Sequence, residues 1–197
     1  MRHINKFMLL VLILCSCTGK TEQNKLFNQD AVSLTNKAVE CTCAFKYDSA
    51  LIYLDKAIMI DSTLYNAYGV RVSVYMSQKK YDKALKAAEK QIQLKPDLVE
   101  AYTTAGTLND MLNDSIKAKE YYSDALKLYD KKIKNTDKPI KQVTYKINRI
   151  FLLIMLGKEN EAKKQIAEVE AEKPINHASI EMLKKMTRKS YLETCKK

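Results

Sequence analysis

Thiols and imidazoles are the side chains best suited to chemistry in this 197-residue chain, and they are few: five cysteines and two histidines. Thiols can hold metals, close disulfides or act as nucleophiles, and imidazoles can move protons. Cys41 and Cys43 stand two residues apart, which on a helix is about 200° around the axis. They point to opposite sides and can neither grip one metal nor pair with each other. Cys41 falls on an apolar face, the usual place for a packing cysteine. Cys195 lies at the other end of the chain, His3 sits in the N-terminal stretch and His177 has no chemical company. No Ser-His-Asp set, zinc-ligand spacing or glycine-rich phosphate loop can be assembled, and the carboxylates are scattered. The expectation is a non-catalytic protein with no cofactor and no metal site.

Cys15 and Cys17 belong to a different chemistry. Arg2 and Lys6 begin the chain, Phe7 to Leu14 is an unbroken apolar run, and small residues follow, the three parts of a secretory signal. The run is far short of the ~20 residues that span a bilayer. Leu14-Cys15-Ser16-Cys17 resembles the bacterial lipobox, with Ser16 as the small residue before the modified cysteine; the bulky Leu14 before Cys15 fits badly. The resemblance implies removal of 1–16, a diacylglycerol on Cys17 and acylation of its new amino terminus, with fatty acids such as palmitate. At about 0.8 kcal/mol per buried methylene, two or three chains hold a protein on a membrane almost permanently. Thr18, in place of an aspartate, suggests by analogy the Gram-negative outer membrane, facing the periplasm. Residues 17–30 then read as a polar tether.

Something must fold behind that anchor. Composition favours helices: 46% of residues are hydrophobic, with four Gly and three Pro. The net charge is +11, but only four of the 34 basic residues are Arg, the better phosphate fork, so no nucleic-acid partner is expected. A lysine-rich solvated surface explains the excess; binding of anionic polymers or lipid surfaces through it is an alternative.

The stretch 99–132 reads as two short helices folded back on each other, broken at Asn113 and Asp114. In its frame lie units 31–64, 65–98, 99–132 and, after an insertion at 133–142, 143–176. Ala50, Ala84, Ala118 and Ala162 share one place in all four units, where a methyl lets paired helices approach. Leu54, Ala88, Tyr122 and Ile166 follow one turn on, then Ala57, Gln91, Ala125 and Val169; Pro96 and Pro174 end two of the helices. The pattern resembles the tetratricopeptide repeat. Its third unit matches best (Tyr102, Gly106, Ala118, Tyr122, Ala125), and its fourth departs from it at Lys146 and Ile150.

That resemblance implies an all-α, right-handed α-solenoid of about four helix pairs. Residues 177–197 supply a capping helix and tail, with Ile180, Leu183, Met186 and Ser190 on one face and Lys184, Lys185, Arg188 and Lys189 outward. It also implies a protein or peptide partner in a groove lined by the first helix of each unit. Carried over by position, the groove would show Asn66, Ser73, Met76, Thr103, Thr107, Asp110 and Phe151. The Lys and Asn clamp of the chaperone-binding members is missing. Ile147, Phe151, Ile154 and Met155 form an apolar stripe that is either core or a docking patch. The function expected is an interaction or assembly module tethered to the membrane. A structural subunit of an envelope complex is the alternative.

Overall fold

A computed structural model describes residues 27–172 and 177–196. The signal segment, Cys17 and most of the tether lie outside the described residues, as does Pro174. What is described is all-helical, with ten helices and no strand. They fall into two compact units that divide between Ala101 and Tyr102.

The first unit holds α1 (Gln29–Cys43), α2 (Tyr47–Ile60), α3 (Tyr65–Ser77), α4 (Tyr81–Leu94) and the start of α5 (Val99–Met111). Asn28 sets where it begins: its Oδ1 accepts from the backbone N–H of Asp30 at 2.9 Å and of Ala31 at 3.3 Å. Helix α1 therefore starts two residues before the predicted repeat frame. The Asn28 N–H also donates to Asp61 Oδ2 at 3.1 Å. The Thr63 hydroxyl and this Asn28 amide together hold the Asp61 carboxyl below its ordinary range. The recurring small residues do what their spacing requires, for Ala38, Ala50, Ala57, Ala84 and Ala88 are all fully buried.

The second unit continues with α5 and adds α6 (Ser115–Lys134), α7 (Pro139–Met155), α8 (Glu159–Glu170), α9 (His177–Lys185) and α10 (Arg188–Lys196). Its core joins Ile150, Leu153 and Ile154 of α7 and Ile166 and Val169 of α8 to Ile180 and Leu183 of α9. Two of the four stripe residues, Ile154 and Met155, are buried, and Ile147 and Phe151 pack against the same cluster. The stripe is core.

One backbone device turns every first helix into its second. Phe45, Lys79, Asn113 and Gly157 stand at equivalent places in the four units, and all have positive φ, between 55° and 75°. After each, an N–H reaches back to a carbonyl five residues earlier at 2.8 Å: Lys46 to Cys41, Lys80 to Tyr75, Asp114 to Asn109 and Lys158 to Leu153. This is the helix-ending Schellman motif, which normally takes glycine at its left-handed position. Only the fourth unit supplies one.

Two predicted segments differ in the structure. The sequence predicts a basic turn over 133–142, but α6 runs on to Lys134 and Pro139 opens α7, leaving 135–138 as the turn. Proline at a first helical position needs no N–H and is already set for the helix. Lysines 131, 132 and 134 sit in the last turn of α6, where positive charge suits the carbonyl end. The single capping helix is in fact two, α9 and α10. The first ends at Lys185 and Thr187 caps the second: Ser190 N–H donates to Thr187 Oγ1 at 3.1 Å, and Thr187 N–H donates to Ser190 Oγ at 3.0 Å. That reciprocal cap starts a new helix.

Candidate functional site

The predicted groove residues are divided between the two units. In the first unit, α3 carries Asn66, exposed, with Ser73 and Met76 half-buried. The Ser73 hydroxyl donates to its own helix, at the Gly69 carbonyl, 3.3 Å away. Gly69 makes room for a neighbour, since a Cβ there would lie 2.6 Å from Gln91 Nε2. Gln91 occupies the place that Ala57 and Ala125 hold in units one and three, so the small partner has moved to the opposite helix.

In the second unit the predicted lining is not open. Thr103, Thr107 and Asp110 follow one another along one face of α5, and all are buried. The burial has two sources. From α6, the Tyr122 hydroxyl donates to Asp110 Oδ2 at 2.9 Å and approaches Thr107 Oγ1 at 3.4 Å. From α10, Arg188 Nη2 donates to Asp110 Oδ1 at 2.5 Å. Both carboxylate oxygens are thus engaged, and the Asp110 side chain is 2% exposed. Phe151 of α7 meets the ring of Tyr191 edge-on, 5.0 Å between centroids. The Tyr191 hydroxyl hydrogen-bonds Thr107 and Cys195. Positions 188, 191 and 195 share one helical face, so α10 lays a single side across α5 and α7.

The sequence places Arg188 on the outward, solvated side of a terminal helix; in the structure it is the counter-ion of a buried carboxylate. Arg188, Tyr191 and Cys195 were missed as site residues because their partner on α5 lies about 80 positions away, and lysine-rich neighbours mask the one arginine. The repeat pattern presents Tyr122 as a packing residue, and its hydroxyl role depends on Asp110 and Thr107. The Thr187–Ser190 cap was the available signal that α10 is a separate helix with its own facing.

Burial, reinforced by the Asp110 charge, pushes the Tyr122 phenol far above its ordinary value despite an opposing bond from Thr107. Burial does the same to Tyr191, and it pushes the Cys195 thiol up to about 11. All three stay protonated at neutral pH, so Tyr122 from α6 and Tyr191 from α10 meet Asp110 and Thr107 as neutral hydroxyls. Among the described residues no group of three His, Cys, Asp or Glu side chains could hold a metal, and no helix is long and apolar enough to cross a membrane.

Helix pairs of this length, closed by the same left-handed turn and nested on small residues, define a helical repeat protein. The family pattern of the tetratricopeptide repeat matches residues 65–98, so that stretch is similar to a single repeat of this kind. A TPR repeat-containing thioredoxin, TDX of Arabidopsis thaliana, is 32% identical over 114 residues, which is 57% of this chain and 29% of that protein. The chain spans less than a third of that curated relative. Among solved structures, PilW, a type IV pilus biogenesis factor, superposes with a TM-score of 0.55 at 23% identity, over 75% of this chain and 64% of that one. YrrB, a TPR protein with an unusual peptide-binding site, gives 0.53 at 24%, over 77% and 72%. The fold is shared with both.

Proposed function

We propose that this chain is a lipid-anchored, non-catalytic tetratricopeptide module that binds a protein or peptide partner in the bacterial envelope. The observation that carries this reading is the repeat at 65–98 with the inner side of its first helix accessible: Asn66 exposed, Ser73 and Met76 half-buried. Small and polar side chains there leave room for the main chain of an extended peptide, whose amides and carbonyls they can meet. Anchoring rests on Leu14-Cys15-Ser16-Cys17, with acylation at Cys17 and residence on the outer membrane facing the periplasm.

Capture in gentle detergent tests the partner. Ser73→Arg with Met76→Arg, on a protein whose helical content is unchanged, is expected to lose the partner that the native chain retains. Unchanged capture would overturn the α3 face as the binding surface. For the anchor, mass spectrometry of the mature protein should find an acylated amino terminus at Cys17, and Cys17→Ser should move the protein out of the membrane fraction. A mature chain with a free Cys17 thiol would end the lipid proposal.

A further inference from the structure

The buried face of α5 and α7 is polar where a cap needs only oil. Covering the end of a repeat stack is served by apolar packing, as α9 does with Ile180 and Leu183. Helix α10 instead brings an arginine to a buried carboxylate and a tyrosine to Phe151 and Thr107. A buried ion pair adds little stability over apolar packing of similar volume, but a carboxylate left unpaired there is strongly unfavourable, so the arrangement discriminates between occupants. Asp110 accepts a guanidinium, and the Phe151 edge and Thr107 accept an aromatic ring with a hydroxyl.

The resident occupant fits imperfectly. Arg188 Nε is buried with no hydrogen-bond partner. Helix α10 has nine residues, too few to persist without its docking contacts. The break at Met186 and Thr187 separates it from α9, whose own apolar anchoring does not depend on it.

We propose that the α5/α7 face is a receptor for a short partner helix carrying arginine followed three residues later by tyrosine. The chain's own α10 is the resident copy that such a helix displaces. This deepens the reading of the chain as an interaction module and rests on it, with a second surface and a built-in competitor. Because α10 is tethered, its effective concentration is on the order of millimolar, and an incoming helix binds only by exceeding that competition.

The test uses the full chain and a labelled synthetic peptide of residues 187–196 with Cys195 replaced by serine. Arg188→Ala with Tyr191→Ala, which releases the resident helix, should bind this peptide at least ten times more tightly than the native chain. Adding Asp110→Asn should remove at least tenfold of that affinity. A released variant that melts cooperatively yet binds no better than the native chain overturns the proposal, as does indifference to Asp110→Asn. Should the released variant not fold, the native chain answers directly: saturating peptide should accelerate maleimide modification of Cys195, with exposed Cys43 as internal reference. No acceleration at saturating peptide overturns the proposal. Neither readout involves a cellular partner or the α3 face, so failure here leaves the capture experiment standing, and the reverse.

Discussion

Gly106→Ala should cost this protein more than a methyl group normally can. A Cβ on Gly106 would stand 2.5 Å from Tyr122 Cε1, 2.6 Å from Cδ1 and 3.0 Å from Cζ. Carbon atoms pack at about 3.5–4 Å, so the ring must retreat by roughly 1 Å. It has nowhere to go, because Tyr122 is fully buried and its hydroxyl is held to Asp110 at 2.9 Å. Overpacking of this kind costs about 1–3 kcal/mol, and disturbing a hydrogen bond to a charged group about 1.5–3 kcal/mol. Alanine recovers about 1 kcal/mol of helix propensity. The net expectation is a destabilisation of about 2–4 kcal/mol, read from urea denaturation followed by far-ultraviolet circular dichroism. Gly69→Ala is the control: its obstacle is the mobile end of Gln91, so the change should stay within about 0.5 kcal/mol of neutral. Ala38 and Leu54 hold the equivalent places in the first repeat, both fully buried. Gly106→Ala combined with Tyr122→Leu should therefore be less harmful than the two single costs summed, by at least about 1 kcal/mol. A cost below about 0.5 kcal/mol for Gly106→Ala, or full additivity in the double variant, would refute this account of the packing.

The left-handed turns make the opposite prediction. Phe45→Gly and Lys79→Gly, at φ 58° and 55°, should each stabilise by about 0.5–1 kcal/mol, whereas Gly157→Ala, at φ 75° with open space around it, should destabilise by about 1 kcal/mol through backbone strain alone; thermal melts decide both. Alkali should weaken the second unit. The Cys195 thiol ordinarily titrates near 9.0 and is held protonated to about 11 in the fold, so between those pH values the folded state binds more protons and stability falls as pH rises. Tyr122 and Tyr191, both raised, add in the same direction above about pH 10. Urea midpoints measured from pH 8 to 11 should decline less steeply for Cys195→Ser, and an unchanged slope would contradict the partial burial of that thiol. Arg149 bridges three helices, bonding Asp130 of α6 at 2.6 Å and Glu161 of α8 at 3.4 Å. Arg149→Lys should cost about 1 kcal/mol, because an ammonium cannot fork to both, and calorimetry checks it.

Much of the fold was legible because it depends on size. A methyl recurring every 34 residues marks where helices must nest, and burial of Ala50, Ala84, Ala118 and Ala162 follows from nothing else. What the frame leaves open is how volume is shared within a pair. Gly106 opposite Tyr122, and Gly69 opposite Gln91, are compensations that a single column of small residues hides. The turns at Phe45 and Lys79 carry no glycine or asparagine to announce them; only their phase with Asn113 and Gly157 does. The inner face of α5 was legible as a row of residues but not as an occupied one. Thr107 and Asp110 look available until Arg188 and Tyr191 arrive from the chain's far end, a contact that no local pattern encodes.

The proposal that the repeat at 65–98 binds a partner along the accessible side of α3 is tested most directly by site-specific photo-crosslinking in cells. A crosslinking amino acid at Ser73, on the accessible side of α3, should capture a discrete partner. The same residue at exposed Lys86, on α4, should capture none. Equal capture at both positions, or capture at Lys86 alone, would contradict it.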